Sequence, residues 1–138
     1  MEPDDEIREK RIAGYLTLAA RDLKTAQLLV DDAELRAIAA YHLQQAAEKL
    51  VKAVFLARSV LITKEHRLQT NLDELKSTHP QDPWIALLLP FIAYDRFATT
   101  ARYPSSKGAV VAGPARATLD EDSKALEALL GQARKELK

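Results

Sequence analysis

Two short stretches hold most of the chain's chemical capacity. The first is Tyr41-His42-Leu43-Gln44-Gln45-Ala46-Ala47-Glu48-Lys49-Leu50-Val51-Lys52. At about 100° per residue, a helix places Tyr41, Gln45, Glu48 and Lys52 on one face, opposite an apolar stripe of Leu43, Ala47, Leu50 and Val54. In line, these four side chains offer an aromatic surface, an amide, a carboxylate and an ammonium, the equipment of a polar binding surface. The plainer reading is a solvated face on which Glu48 and Lys52 form an ion pair of small worth.

The second stretch is Tyr94-Asp95-Arg96-Phe97-Ala98-Thr99-Thr100-Ala101-Arg102-Tyr103-Pro104. Arg96 and Arg102 carry the planar fork best suited to bidentate recognition of phosphate or carboxylate. Asp95 and Arg102 share a helix face just before Pro104 ends the helix. A structural Asp95–Arg102 pair is therefore the alternative, at a helix C-terminus where a cation is favoured anyway. Three histidines, His42, His66 and His79, lie on different elements, and none has a second ligand at metal spacing. No HExxH, phosphate loop, dinucleotide fingerprint or nucleophile elbow is present, so neither a metal nor a cofactor is expected. His42 and His66 could supply an imidazole only if the fold carried them to the arginines. A capping or core role is the plainer expectation for each.

The elements that must position these residues are helical nearly throughout. Ile12, Tyr15, Leu16, Ala19, Leu23, Ala26 and Val30 form one stripe, with Asp4 or Asp5 as cap and Asp31-Asp32 as a break. A second helix over about 34–61 carries Ala40, Leu43, Ala47, Leu50, Val54, Ala57 and Leu61. A short third, about 65–76, carries Leu68, Leu72 and Leu75. Asp82-Pro83 reads as the start of a fourth that runs to about Ala101, kinked at Pro90. Its opening run, Trp84 to Leu89, is apolar on every side, which predicts a central or covered position. The stretch Ser105 to Arg116 lacks periodicity and reads as a long mobile loop. Thr118 with Glu121 then predicts a capping box for a last helix lined by Leu126, Leu129, Leu130, Ala133 and Leu137. The expected fold is all-α, an up-and-down bundle of four long helices plus one short one.

Composition bounds the function. A chain of 138 residues, 47% apolar and 29% charged, suits one domain over 1–138 with a real core. It has no cysteine, which fits a reducing cytoplasm. The acidic opening residues are the opposite of a signal peptide, and no apolar run approaches membrane-spanning length. Twenty acidic and twenty basic residues leave no global field for nucleic acid, so any RNA contact must come from a local patch.

Gln45-Ala46-Ala47-Glu48-Lys49 followed by Lys52-Ala53, then His66 ahead of a Leu-rich short helix, then Arg102-Tyr103-Pro104, resembles the HEPN domain pattern in order and spacing. The likeness covers about 18–104. It implies a bundle of four or five helices, a homodimer, and partnership with a small nucleotidyltransferase, often as a toxin–antitoxin pair. Some members of the family are metal-independent endoribonucleases, and others are regarded as nucleotide-binding or structural modules. The ribonucleases carry an arginine, four to six residues and a histidine near the end of the penultimate long helix. Here Arg96 is followed after five residues by Arg102. An arginine stays protonated and cannot act as a base at neutral pH. The preferred expectation is thus a nucleotide- or RNA-binding or interaction module using Tyr41, Gln45, Glu48, Lys52, Arg96, Arg102 and Tyr103. The alternative is a ribonuclease toxin, with Arg96, Arg102 and His66 as the catalytic candidates.

Overall fold

The computed structural model describes residues 3–137. Its helices are α1 (Pro3–Leu29), α2 (Arg36–Ala57), α3 (Leu68–Thr78), α4 (Pro83–Leu88), a 3₁₀ helix (Leu89–Arg96), α5 (Phe97–Thr100) and α6 (Arg116–Glu136), with a one-turn 3₁₀ piece (Ala33–Leu35) before α2. No strand occurs among the described residues. The architecture is the all-α bundle that the periodicity predicts.

The centre of the bundle is α2, with α1, α3, the 3₁₀ helix, α5 and α6 all packed on it. Its alanines let neighbours approach closely, and residues on every side of it are buried, including Gln44, Glu48 and Lys52. The expectation that Glu48 and Lys52 lie on a solvated face is therefore overturned. The neighbours packed around this part of the helix cover both side chains. The run Trp84 to Leu89, expected at the centre, is only half covered. Trp84 and Leu88 are buried, whereas Leu89 is 55% exposed.

Several helix ends differ from expectation for local reasons. Asp4 and Asp5 lie within the first turn of α1, favourably placed against its dipole, rather than at its cap. α2 stops at Ala57, short of Leu61, because Ser59 takes a left-handed conformation (φ 57°). There the Val60 amide donates to the Phe55 carbonyl (2.8 Å) and the Ser59 amide to Leu56 (3.3 Å), a Schellman-type ending usually built on glycine. Leu61 is left exposed. α6 starts at Arg116, with Ala115 as cap residue and no side-chain cap bond, so Thr118 and Glu121 form no capping box. Arg116 instead reaches Asp31 (2.7 Å). The Asp82-Pro83 start is confirmed: the Asp82 carboxylate accepts the Trp84 amide at 3.0 Å and also takes Arg58 Nε at 2.6 Å.

The fourth helical segment follows as expected but is wound in three stretches. Pro90 lacks an amide and crowds the preceding turn, and from Leu89 the chain tightens into a 3₁₀ helix. Leu88, Phe91, Tyr94 and Phe97 are all buried, one every three residues. That spacing lines up straight on a helix of 3.0 residues per turn and drifts on an α-helix. The Tyr94 hydroxyl donates to Asp122 of α6, and burial first, then this carboxylate, raises the Tyr94 pKa above its ordinary value.

The irregular segment before α6 meets the start of α2 at Gly113. A Cβ added at Gly113 would sit 2.3 Å from the Ala37 amide nitrogen and from the Arg36 carbonyl carbon, so backbone meets backbone there. Gly113→Ala is expected to push this segment off the start of α2 and destabilise the fold by about 1–3 kcal/mol, read as a lower denaturant midpoint at unchanged m-value.

On the α1–α2 side, Asp22 accepts from His42 Nδ1 (2.9 Å) and from Lys49 Nζ. Burial penalises the Asp22 carboxylate, but these two hydrogen bonds and their charges outweigh it and lower its pKa below 3.8. A carboxyl whose folded-state pKa is depressed adds stability that is complete above its unfolded value and is lost as pH falls through the folded one. Wild type is therefore expected to lose more unfolding free energy than Asp22→Asn between about pH 5 and about pH 2, measured by denaturant titration. His42 is thus held in a structural cluster.

Candidate functional site

A groove of about 620 Å³ opens between α2, the connection leading into α3, and the 3₁₀–α5 segment. Tyr41 and Gln45 of α2 line it, with Lys64, Glu65, His66 and Arg67 from the connection, Gln69 of α3, and Asp95, Arg96, Ala98, Thr99 and Arg102 from the far side. Of the polar ridge on the second long helix, Tyr41 and Gln45 thus line one groove with the arginines that finish the fourth segment. His66 joins them. Glu48 and Lys52 do not line the groove, and Tyr103, 61% exposed, borders it through Arg102. A second hollow of about 440 Å³, between α1 and the end of α6, is walled by Ile12, Ala13, Leu16 and Leu137. Only Glu9 and Arg134 bring charge to it, so it offers no comparable convergence of polar groups.

The groove owes its shape to Asp95. One carboxylate oxygen accepts the Leu68 amide (2.9 Å) and Gln44 Nε2 (3.0 Å), and the other accepts the Gln69 amide (2.9 Å). Two orphan donors at the start of α3 are satisfied by a residue 26 and 27 positions away, because Arg67 at the cap position has no side chain able to accept. The expected Asp95–Arg102 pair does not form. Arg102 instead turns back on its own helix, donating to the Ala98 carbonyl from Nε (3.0 Å) and Nη2 (2.7 Å).

Arg102 is also flanked by aromatic rings. Its Cζ lies 5.0 Å from the Tyr41 ring centre and 5.6 Å from that of Tyr103. Arg96 lies 5.0 Å over Phe97. Neither arginine, nor Lys64 or Arg67, has a carboxylate within ion-pair distance among the described residues. Asp95 is occupied by amides, and a Glu65 oxygen is taken by the Arg67 amide (2.9 Å). The local patch that a neutral chain needs for an anionic ligand is present here.

The connection carrying His66 has no regular structure, yet it is tied down at several points. Gln44 Nε2 donates to the His66 carbonyl (2.7 Å), and Asn71 Nδ2 donates to the carbonyls of Glu65 (3.2 Å) and Arg67 (3.0 Å). The His66 ring meets Glu48 Oε1 through Nδ1 at 3.1 Å, and the same oxygen accepts from Lys52 Nζ. Gln44, Asn71, Lys64 and Arg67 were not singled out from the sequence. The two buried amides fit no motif, and isolated basic residues on a connection carry no spacing signal. Among the described residues, no three His, Cys, Asp or Glu side chains gather in a way that could hold a metal ion.

An all-helical bundle with a cationic, tyrosine-flanked groove at the meeting of α2, α3 and the 3₁₀–α5 segment defines the class of protein. The HEPN domain model matches residues 13–137, and the chain belongs to the HEPN family. The match takes in α6 as well as the segments whose motifs resemble the family. No curated protein and no solved structure matches the chain. No described helix is long and apolar enough to cross a membrane.

Proposed function

We propose that the groove binds the phosphate of a nucleotide or an RNA strand, and that the protein acts as a nucleotide- or RNA-binding module. The observation that carries this reading is the set of unpaired cations around Arg102, whose guanidinium is held in place by the Ala98 carbonyl and two tyrosine rings. A cation already fixed in orientation loses little freedom on binding, and Arg offers further N–H donors to a phosphate oxygen. Tyr103 adds an exposed aromatic face of the kind on which bases stack. Titration with ATP and with a short single-stranded RNA at two salt concentrations tests the reading. Binding that weakens with salt and on Arg96→Ala supports it, and absence of binding by both ligands rejects it.

The ribonuclease reading is favoured by one observation, His66 lining the same groove as Arg96 and Arg102. In such a reaction His66 takes the proton of a ribose 2′-hydroxyl as that oxygen bonds to the adjacent phosphorus. The P–O5′ bond breaks, a 2′,3′-cyclic phosphate remains, and the departing oxygen takes a proton from water, while an arginine steadies the phosphorane charge. Cleavage of RNA by wild type but not by His66→Ala would establish it, and intact RNA under the same conditions would remove it.

The family also supports a homodimer and a small nucleotidyltransferase partner, in a toxin–antitoxin-like pair. The half-covered apolar run Ile85 to Leu89, with Leu89 exposed, is consistent with a covered face in an assembly. Sedimentation of the purified protein, alone and co-expressed with such a partner, tests both points.

A further inference from the structure

We propose that Glu48, buried beneath the groove, is a positioning residue that presents His66 to the ligand as a hydrogen-bond acceptor for a sugar hydroxyl, so that the groove selects ribonucleotides over their deoxy counterparts. This rests on the groove's binding a nucleotide phosphate and does not require cleavage.

The contrast in burial is the starting point. The His66 side chain is 69% exposed, and the Glu48 side chain that holds it is 4% exposed. A buried carboxylate paired with a buried ammonium is an expensive arrangement, and apolar side chains of similar volume would fill the space at no loss of stability. What the Glu48–Lys52 pair adds is a carboxylate fixed under an exposed ring. Glu48 Oε1 can only accept while ionised, so the proton of neutral His66 sits on Nδ1 and Nε2 carries the lone pair. The ring's backbone is fastened as well, by Gln44 at the His66 carbonyl and by the capped start of α3 two residues later.

Four of the groove's side chains are cationic and can only donate. Lys64, Arg67, Arg96 and Arg102 suit phosphate oxygens, and the Asp95 carboxylate and one Glu65 oxygen are engaged by backbone amides. An oriented imidazole acceptor beside phosphate-binding arginines matches a ribonucleotide, which places a hydroxyl donor next to its phosphate. The 2′-hydroxyl is also the group by which a protein tells RNA from DNA at a given position.

The test measures affinity for a labelled oligoadenylate and for its deoxy counterpart, together with the ¹⁵N shifts of the His66 ring. Wild type is expected to bind the ribo form roughly five- to tenfold tighter, the worth of one hydrogen bond, and to show the Nδ1–H tautomer. His66→Phe leaves the Glu48–Lys52 pair intact and is expected to bring the ratio to about one. Glu48→Gln combined with Lys52→Met removes the carboxylate without stranding a buried ammonium, and is expected to lower the ratio and mix the tautomers. A purely structural role for Glu48 would weaken both ligands together and leave their ratio alone. Equal binding of both forms by wild type, an unchanged ratio in both variants, or a His66 ring protonated on Nε2 alone overturns the proposal while the groove reading stands. Binding of neither form removes both.

Discussion

Asp95→Ala is expected to lower the unfolding free energy by about 2–4 kcal/mol, the largest stability effect of any single polar substitution around the groove. Three donors lose their acceptor at once: the Leu68 and Gln69 amides and Gln44 Nε2. The first two are helix-start amides, for which a lost side-chain cap costs about 0.5–2 kcal/mol. The third is one N–H of a fully buried glutamine amide whose other N–H keeps the His66 carbonyl, and a buried N–H without an acceptor carries a desolvation penalty. Denaturant unfolding should show a lower midpoint with the slope preserved. Asp95→Asn keeps one acceptor oxygen and should retain part of the loss. Because Gln44 also holds the His66 carbonyl, hydrogen exchange in Asp95→Ala should quicken along the connection before α3 ahead of the rest of the bundle. A variant whose midpoint matches wild type would show that this cap contributes nothing.

Arg102→Ala is expected to weaken a nucleotide or RNA ligand by about 10- to 100-fold, while shifting stability by no more than about 0.5 kcal/mol. The residue is exposed and its hydrogen bonds run only to a carbonyl one turn back, so the fold does not depend on it. Arg102→Lys should recover little, although the charge is kept. An ammonium has no planar face to set near the Tyr41 and Tyr103 rings and no rigid fork to donate from. The slope of log affinity against log salt should fall by about one phosphate contact in Arg102→Ala. If affinity is unchanged by either substitution, the groove's cations do not meet the ligand.

Much of the fold was legible because amphipathic periodicity reports burial directly. The stripes Ile12 to Val30, Leu68 to Leu75 and Leu126 to Leu137 pack as their spacing predicts. The fate of α2 was not legible, since a helix wheel shows one best apolar face and cannot show how many neighbours will surround it. Glu48 and Lys52 therefore looked like surface residues. At the site, Tyr41, Gln45, Arg96 and Arg102 were legible from residue type and helix phase. The position of His66 was not legible, because it lies on a connection without regular structure whose course is set by the buried amides of Gln44, 22 residues away, and of Asn71. Ser59 hid the end of α2, because the left-handed position that normally shows as glycine is filled by serine.

The tight winding that starts at Leu89 has a rotational consequence. A 3₁₀ helix advances about 120° per residue where an α-helix advances about 100°. Over the eight residues Leu89–Arg96 the difference accumulates to about 160°, close to half a revolution. Which compass direction Asp95 and Arg96 take therefore depends on how the chain is wound from Leu89 onward. The same residues wound as a plain α-helix would turn the two side chains toward the opposite wall of the bundle, keeping every side chain of the groove and losing the groove.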